Sequence, residues 1–416
     1  MSAAKAKSII QEQIKALGDN YEAVEIQFMG GEPLLEFPLI KECAEWLWST
    51  PITDKQMMLF APTNGTLLTD DMKEWFAKNK DKIHLGLSFD GDMAMQNANR
   101  SSSFHNVDLD FFVNTWPDQS VKMTISPDTM SNMADGVKFL HRKGFKYISA
   151  DLAMGDSVLW TKKNLGVYQA ELKKLIEFYL ANSQLIPFSM LRVDVNAIMY
   201  PKAEKYKTCS CGEDMVCVDW TGKTYACHLF SPVTISKEKA EKAVKTIDFK
   251  DHSCFNNGKC AKCILNMVCT HCYGMNYVCS DDINTPSPFH CSAFKLLFVA
   301  NCRYQLQMAK KNGNDAAIQQ INKVINKIVL SKTKIKMENE MLETNEKLEQ
   351  IEANALENTD EVTPLENTNE SVEPIESVNE PSMEMSNCKC MGSCGSNYSV
   401  STGCICLGIC GSNYHK

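Results

Sequence analysis

The chain has 416 residues, 44% of them apolar, and a formal net charge of −8. That length can bury a sizeable core, with two or three domains expected. No apolar run reaches the roughly eighteen residues of a membrane-spanning helix. The amphipathic start, Met1-Ser-Ala-Ala-Lys-Ala-Lys-Ser-Ile-Ile, lacks the long apolar stretch of a signal peptide. A reducing cytoplasm is the expected compartment, and there dense cysteines mean metal or redox chemistry more often than disulfides. The ten acids of residues 351–387 and the two lysines beyond them account for the whole net charge. Residues 1–350 are balanced and carry no nucleic-acid footprint.

In chain order, residues 2–17 place Ile9, Ile10, Ile14 and Leu17 at helical spacing. Strand-like alternation follows at Ala23–Met29, ending in Gly30-Gly31-Glu32-Pro33. A helix is expected at about 39–48, then a strand from Met57 to Pro62, ending in Thr63-Asn64-Gly65-Thr66. The next helix, 70–79, carries Asp70 and Asp71 in its first turn, where carboxylates suit the helix dipole. Strand 83–88 ends in Phe89-Asp90-Gly91. Helix 107–116, strand 121–126, helix 131–143, strand 147–152 and a longer helix at about 164–182 complete the series. Strand–helix alternation implies parallel strands with right-handed crossovers. Polar, glycine-rich motifs fall at three consecutive C-terminal strand ends, where parallel α/β barrels build their sites. A strand is expected at Met190–Val195, and helical periodicity returns at about 292–350.

Twelve of the nineteen cysteines lie between Cys209 and Cys302. The densest part reads Cys260-x2-Cys263-x5-Cys269-x2-Cys272. Two Cys-x2-Cys pairs with further cysteines on either side are a strong signal for metal ligation. Cys43, on an apolar helix, reads as a buried small hydrophobe. Residues 351–387, rich in Glu, Asn, Ser, Thr and Pro, cannot bury enough surface to fold, and a disordered linker is expected. The last 29 residues are a tandem repeat of period sixteen: Cys388-Lys-Cys390-Met-Gly-Ser-Cys394-Gly-Ser-Asn-Tyr398 recurs as Cys404-Ile-Cys406-Leu-Gly-Ile-Cys410-Gly-Ser-Asn-Tyr414. That tail has no core-sized apolar set of its own.

Phe28-Met-Gly-Gly-Glu-Pro-Leu-Leu35, Thr63-Asn-Gly-Thr66 and Ser88-Phe-Asp-Gly91 together resemble three motifs of radical S-adenosylmethionine (SAM) enzymes. Cys211-x5-Cys217, Gly222-x4-Cys227, the dense run and Cys291 resemble their SPASM extension. The resemblance covers about residues 1–305 and implies an α/β fold. It would be a partial (β/α)6 TIM-like barrel without its first strand, followed by a cysteine-rich SPASM extension and a disordered tail. The implied division is a barrel at 1–182, SPASM at 183–305, helices at 306–350, linker at 351–387 and tail at 388–416. The implied activity is peptide maturation.

The resemblance also implies roles. Gly30, Gly31 and Glu32 would meet the SAM ammonium, because glycines permit close approach and a carboxylate pairs with a cation. Ser88 and Asp90 would contact the ribose or methionine moiety, and Arg100 the cofactor carboxylate. Asn64 would bind ligand or hold its turn; Arg100 read alone is also an ordinary surface arginine. Cys211, Cys217, Cys227 and Cys272 would hold one auxiliary [4Fe-4S] cluster, and Cys260, Cys263, Cys269 and Cys291 a second. Structural zinc on the same thiolates is the alternative. The family has three residues where Thr270-His271 has two, which leaves Cys279 as a substitute for Cys272; Cys209 could likewise replace Cys211. His228 stands where sulfatase-maturing members have an aspartate base. It reads as a proton-moving group or as a satisfied polar residue, and it argues against sulfatase maturation.

The family's Cys-x3-Cys-x2-Cys is absent from this sequence, so the catalytic [4Fe-4S] cluster is expected only in a longer form with an earlier start. A sulfatase-maturase-type enzyme and a non-catalytic iron–sulfur electron-transfer or peptide-binding protein are the competing readings. Expected partners are a ribosomal peptide or protein substrate and an electron donor such as ferredoxin or flavodoxin, with no nucleic acid and no membrane. The Cys-rich tail resembles substrates of maturases acting on Cys-x-x-x repeats; a metal-binding tail is its alternative.

Overall fold

The computed structural model describes residues 1–17, 21–155, 157–200, 207–269, 271–330 and 402–408. Its first half follows the expected alternation. Helix α1 (Ala3–Leu17) turns Ala6, Ile9, Ile10 and Ile14 inward, one helical stripe facing the core. Strand β1 (Ala23–Met29) is buried along nearly its whole length. It pairs in parallel with β2 (Gln56–Thr63), which pairs in parallel with β3 (Ile83–Leu87). The crossovers are α2 (Phe37–Ser49) and α3 (Asp70–Lys78). The α3 start is capped as its sequence suggests, with Thr69 accepting from the Met72 amide and Asp70 and Asp71 in the first turn.

After β3 come α4 (Met93–Asn99), α5 (Leu109–Thr115), β4 (Val121–Ile125), α6 (Met133–Arg142), β5 (Ile148–Leu152) and α7 (Lys162–Ala181). Strands β4 and β5 form their own parallel pair. A single bridge, Ser88 to Lys122, joins it to β3. The Phe89 amide donates to the Lys122 carbonyl and the Ser88 amide to that of Thr63, both at 2.8 Å. All five strand ends therefore point one way. The core beneath them is aliphatic and aromatic, with Val24, Ile26, Phe28, Leu85, Met123 and Ile148 essentially inaccessible.

The cysteine-rich half is built from short pieces: β6 (Met215–Val218), β7 (Thr224–Tyr225), α8 (Lys237–Thr246), α9 (Gly258–Ala261) and α10 (Tyr273–Ser280). Two long helices follow, α11 (Pro288–Lys311) and α12 (Asp315–Leu330). Helix α11 runs unbroken across residue 305 and packs against α7. No helix among the described residues is long and apolar enough to cross a membrane.

Two expectations are corrected. The strand expected at Met190–Val195 is instead a pair of 3-10 turns, Ser189–Leu191 and Val195–Met199. Side chains replace a neighbouring strand there. The buried Asn301 amide accepts from the Val193 amide and donates to the Met190 carbonyl, and the Asp194 carboxylate accepts from the Asn196 amide. The tail is also not wholly outside the folded body. Thr402–Gly408 forms strand β8, parallel to both β1 and β6, giving the sheet order β3-β2-β1-β8-β6-β7. The free edge of β1 offers a row of unpaired backbone groups, and an extended segment satisfies them. The expected linker, 351–387, and the first tail repeat lie outside the described residues.

Candidate functional site

The three strand-end motifs converge, and their polar groups are tied to one another. Glu32 follows β1 and is nearly buried. Its Oε1 accepts from the Leu34 amide at 3.0 Å and from Thr63 Oγ1 at 2.8 Å, and its Oε2 accepts from the Asn64 amide at 2.8 Å. The carboxylate thus caps the short turn Pro33–Glu36 and clasps the β2 end to the β1 end. Asn64 holds its own turn, its Oδ1 accepting from the Thr66 amide and hydroxyl at 2.9 and 2.7 Å. Gly31 is exposed, and a Cβ built there would meet nothing within 4 Å. The backbone is therefore open to a ligand.

At the β3 end, Asp90 is 1% exposed and forms a two-pronged pair with Arg100. Nε donates to Oδ2 at 2.8 Å and Nη2 to Oδ1 at 2.9 Å. The Thr124 amide also donates to Oδ1. Asp90 and Arg100, expected to face a cofactor separately, bind each other. Nη1 of Arg100 and the second hydrogen of Nη2 are not used in that pair. Gly91 has φ +107°, and a Cβ there would lie 2.8 Å from the Gly136 Cα in α6. Only glycine lets the motif loop lie this close to that helix.

Sequence reasoning missed Gln96, whose fully buried amide accepts from the Asp90 amide and donates to Ser103 Oγ. It also missed Lys122, which pairs with Asp151 beside Asp90. Burial pushes the Lys122 ammonium down to about 8, with Asp90 opposing and Arg100 adding to the shift. Three apolar residues stand exposed in the loops after the first three strands: Leu35 at 53%, Leu67 at 37% and Met93 at 49%. Their only sequence signal is a large apolar residue within or just after a polar strand-end motif.

The cysteines gather in two groups. Cys211, Cys217 and Cys227 are buried. Cys227 interacts with Cys272, Cys209 and Cys217, and Cys211 with Cys209. Cys269 interacts with Cys263, Cys291 and Cys260. The structure thus brings Cys209, Cys211, Cys217, Cys227 and Cys272 near one another, and Cys260, Cys263 and Cys291 near Cys269. Cys272 keeps its place in the first group, whereas Cys279 is exposed near the end of α10. Cys43 is fully buried in the aliphatic core.

Desolvation raises these thiols: Cys272 to about 11, Cys269 to about 12 and Cys227 well above its ordinary range. Cys211 is raised first by its hydrogen bond with Cys209 and then by desolvation. Thiols so placed stay protonated unless a cation compensates the thiolate. The same half holds orphaned polar atoms. Asn266 Oδ1 and Nδ2, both ring nitrogens of His271 and Ser210 Oγ are buried without a hydrogen-bond partner. Soft donors grouped closely, with Cys211, Cys217 and Cys227 buried, fit an iron–sulfur cluster. Among the described residues no three side chains converge as ligands for a single metal ion. His228 follows Cys227 in a short 3-10 turn. Its carbonyl accepts from Ser231 Oγ and Thr234 Oγ1.

The two halves meet at the strand ends. Met29, the last residue of β1, packs on the apolar cluster that contains Cys211, Cys217 and Cys227. On the far side, His290 lies one residue from Cys291 and is 3.2 Å from the Ala153 carbonyl just past β5. Phe289 stacks on Trp160 with ring centroids 4.3 Å apart. One cysteine group therefore borders the first strand end and the other the last.

No protein-family model matches the chain, and no curated protein matches it in sequence. Its fold is that of solved radical SAM enzymes. Two similar structures are of anSMEcpe, an anaerobic sulfatase-maturing enzyme. One is described as "Native anSMEcpe with bound AdoMet" (16% identity, TM-score 0.56, 75% of this chain and 91% of that one). The other is "Native anSMEcpe with bound AdoMet and Cp18Cys peptide" (17%, TM-score 0.55, 75% and 91%). SuiB of Streptococcus suis matches more weakly (17%, TM-score 0.45, 68% and 69%).

Proposed function

We propose that this chain is a radical SAM peptide- or protein-modifying enzyme whose cysteine-rich half holds two auxiliary [4Fe-4S] clusters. The observation that carries the reading is the contact of Met29 with the core around Cys211, Cys217 and Cys227. It sets the Gly30-Gly31-Glu32 end of β1 directly beside the first cysteine group. The fold shared with structures that hold AdoMet supports it. In this reading 1–182 is the partial barrel and 183–305 the SPASM extension.

SAM would lie across the ends of β1–β3. Gly31 leaves its backbone open to the methionine moiety. Arg100 offers its remaining donors to the cofactor carboxylate while Asp90 holds the guanidinium in place. Glu32 shapes the loop through donors from Leu34, Thr63 and Asn64, and its carboxylate would pair with the SAM ammonium. Leu35, Leu67 and Met93 supply an apolar rim that excludes water. Cys211, Cys217, Cys227 and Cys272 would hold one cluster, and Cys260, Cys263, Cys269 and Cys291 the other. Bound SAM, reduced by one electron, supplies hydrogen-abstracting chemistry. His228, next to the first group, can accept the proton from a substrate thiol. The bond formed would be a thioether at a peptide cysteine: the substrate carbon would lose a hydrogen atom, the thiol its proton, and the remaining electron would leave through the cluster that Cys211, Cys217, Cys227 and Cys272 would hold. The ligands of the catalytic cluster are assigned to no residue of this sequence.

The test is anaerobic purification followed by iron and sulfide analysis and SAM binding by equilibrium dialysis. About eight irons per chain are expected, with SAM binding weakened at least about tenfold by Arg100→Ala. Zinc without iron, or binding indifferent to Arg100, sinks the reading. With an enzyme that holds a catalytic cluster also present, thioether formation on a co-expressed Cys-rich peptide would appear as a loss of two hydrogens per bond.

A further inference from the structure

The slot between β1 and β6 is a place where two parallel strands stand one strand-width apart, and β8 fills it. Seven consecutive residue pairs run from Ala23 and Thr402 to Met29 and Gly408. Four more run from Met215 and Cys404 to Val218 and Leu407. The chain reaches β8 only after residues 331–401. A linker of that length has an r.m.s. span of about 45 Å if flexible, so docking is a binding event at high effective concentration.

The register shows what the slot selects. Ile405 occupies the row of Ile26 and Val216, and Leu407 the row of Phe28 and Val218. Ile26, Phe28 and Val218 belong to the main apolar core, and Val216 packs against it. Cys404 and Cys406 occupy the alternate rows, with Glu25 and Gln27 on one side and Met215 and Cys217 on the other. Successive rows of a strand belong to opposite faces. The slot therefore asks for apolar residues two apart on one face and tolerates small polarisable ones on the other. The first tail repeat has the same cysteine spacing, but Lys389 replaces Ile405 and Met391 replaces Leu407. A lysine in the Ile26–Val216 row would bury an uncompensated charge.

We propose that the β1–β6 edge is a strand-binding site for a Cys-x-Cys-x-Gly segment with apolar residues at both x positions. Its occupant is the second tail repeat of the same chain, and Lys389 excludes the first. Such recognition adds a strand to an exposed edge, with backbone bonds giving affinity and alternate side chains giving selectivity. Docking also brings the chain out of β8 level with Met29, at the Gly30-Gly31-Glu32 end of the sheet. The proposal does not depend on the radical SAM reading, because it concerns docking and not modification.

The experiment is amide hydrogen exchange on the full chain. Ile405→Pro removes a ladder donor and breaks the strand. Amides of β1 and β6 that face β8 should exchange at least about tenfold faster, while those between β2 and β3 are unchanged. Ile405→Lys should act like Ile405→Pro, and adding Lys389→Ile to it should restore protection through the first repeat. Unchanged β1 and β6 protection in Ile405→Pro overturns the site. Failure of Lys389→Ile to rescue Ile405→Lys overturns the stated selectivity. If Ile405→Pro unfolds the whole chain, Ala23→Cys with Thr402→Cys answers separately. Paired positions on adjacent strands lie about 4.8 Å apart, within disulfide range. Mild oxidation should join the two introduced thiols in one chain, and peptide mapping without that link overturns the register.

Discussion

The strand ends of the α/β half and the interior of the cysteine-rich half treat buried polar groups in opposite ways. Asp90, Gln96 and Glu32 are bonded by neighbouring side chains and amides, and Asp90 holds Arg100. In the cysteine half, thiols are desolvated and raised, and Asn266 and His271 bury polar atoms without partners. Buried polar groups left unpaired cost free energy. The first region is self-sufficient, a preformed seat. In the proposed reading the second is completed by the clusters its sulfurs would hold, and there ligand binding would be folding free energy.

The largest expected effect tests that contrast directly. Cys227→Ser and Cys263→Ser should each remove about four of roughly eight irons. Each should release amide protection in the cysteine half while β1–β5 keep theirs. Iron analysis with hydrogen exchange checks this; equal loss of protection in both halves would break the comparison. Iron uptake should also release protons and weaken as pH falls, because protonated thiols must be displaced.

Next in size is Asp90→Asn. It leaves Arg100 without its carboxylate at a nearly buried position, and should cost about 3 kcal/mol, read as a shift in denaturant midpoint with unchanged slope. A cost within 0.5 kcal/mol or so, typical of surface changes, would mean the strand-end network is not self-supporting.

The smallest effect is an acid dependence in the α/β half. Burial lowers the pKa of His141, whose ring contacts the Phe145 carbonyl and the Tyr179 hydroxyl. The unfolded chain then binds more protons below pH about 6.5, so stability is full above that pH and declines as pH falls. His141→Gln should flatten this slope, as followed by unfolding curves between pH 5 and pH 7, roughly the titration range of histidine.

Much of the α/β half was legible in the sequence because the first three strands end in motifs and apolar residues recur at helical or strand spacing. Helices α1, α3 and α7 and strands β1–β5 lie within a few residues of expectation. The interleaving of the cysteines was legible through a resemblance rather than through spacing alone. Partners were not. That Asp90 and Arg100 bind each other, that Gln96 holds the Asp90 amide, and that Asn64 spends its oxygen on its own turn depend on contacts ten or fewer residues apart, but in three dimensions. The strand expected at Met190–Val195 failed because Asn301, more than a hundred residues away, supplies its hydrogen bonds.

The sequence by itself determined the parallel α/β plan, the strand-end motifs and the cysteine-dense stretch, because periodicity and residue chemistry are local properties. Only the tertiary structure decided how these parts meet. It set Met29 against the first cysteine group and His290 beside the end of β5. It also placed Thr402–Gly408, the start of the second tail repeat, between β1 and β6. The physical reason is that an open strand edge is satisfied by whichever extended segment can reach it in register. That choice is made by the surface already folded, not by the segment's own propensity.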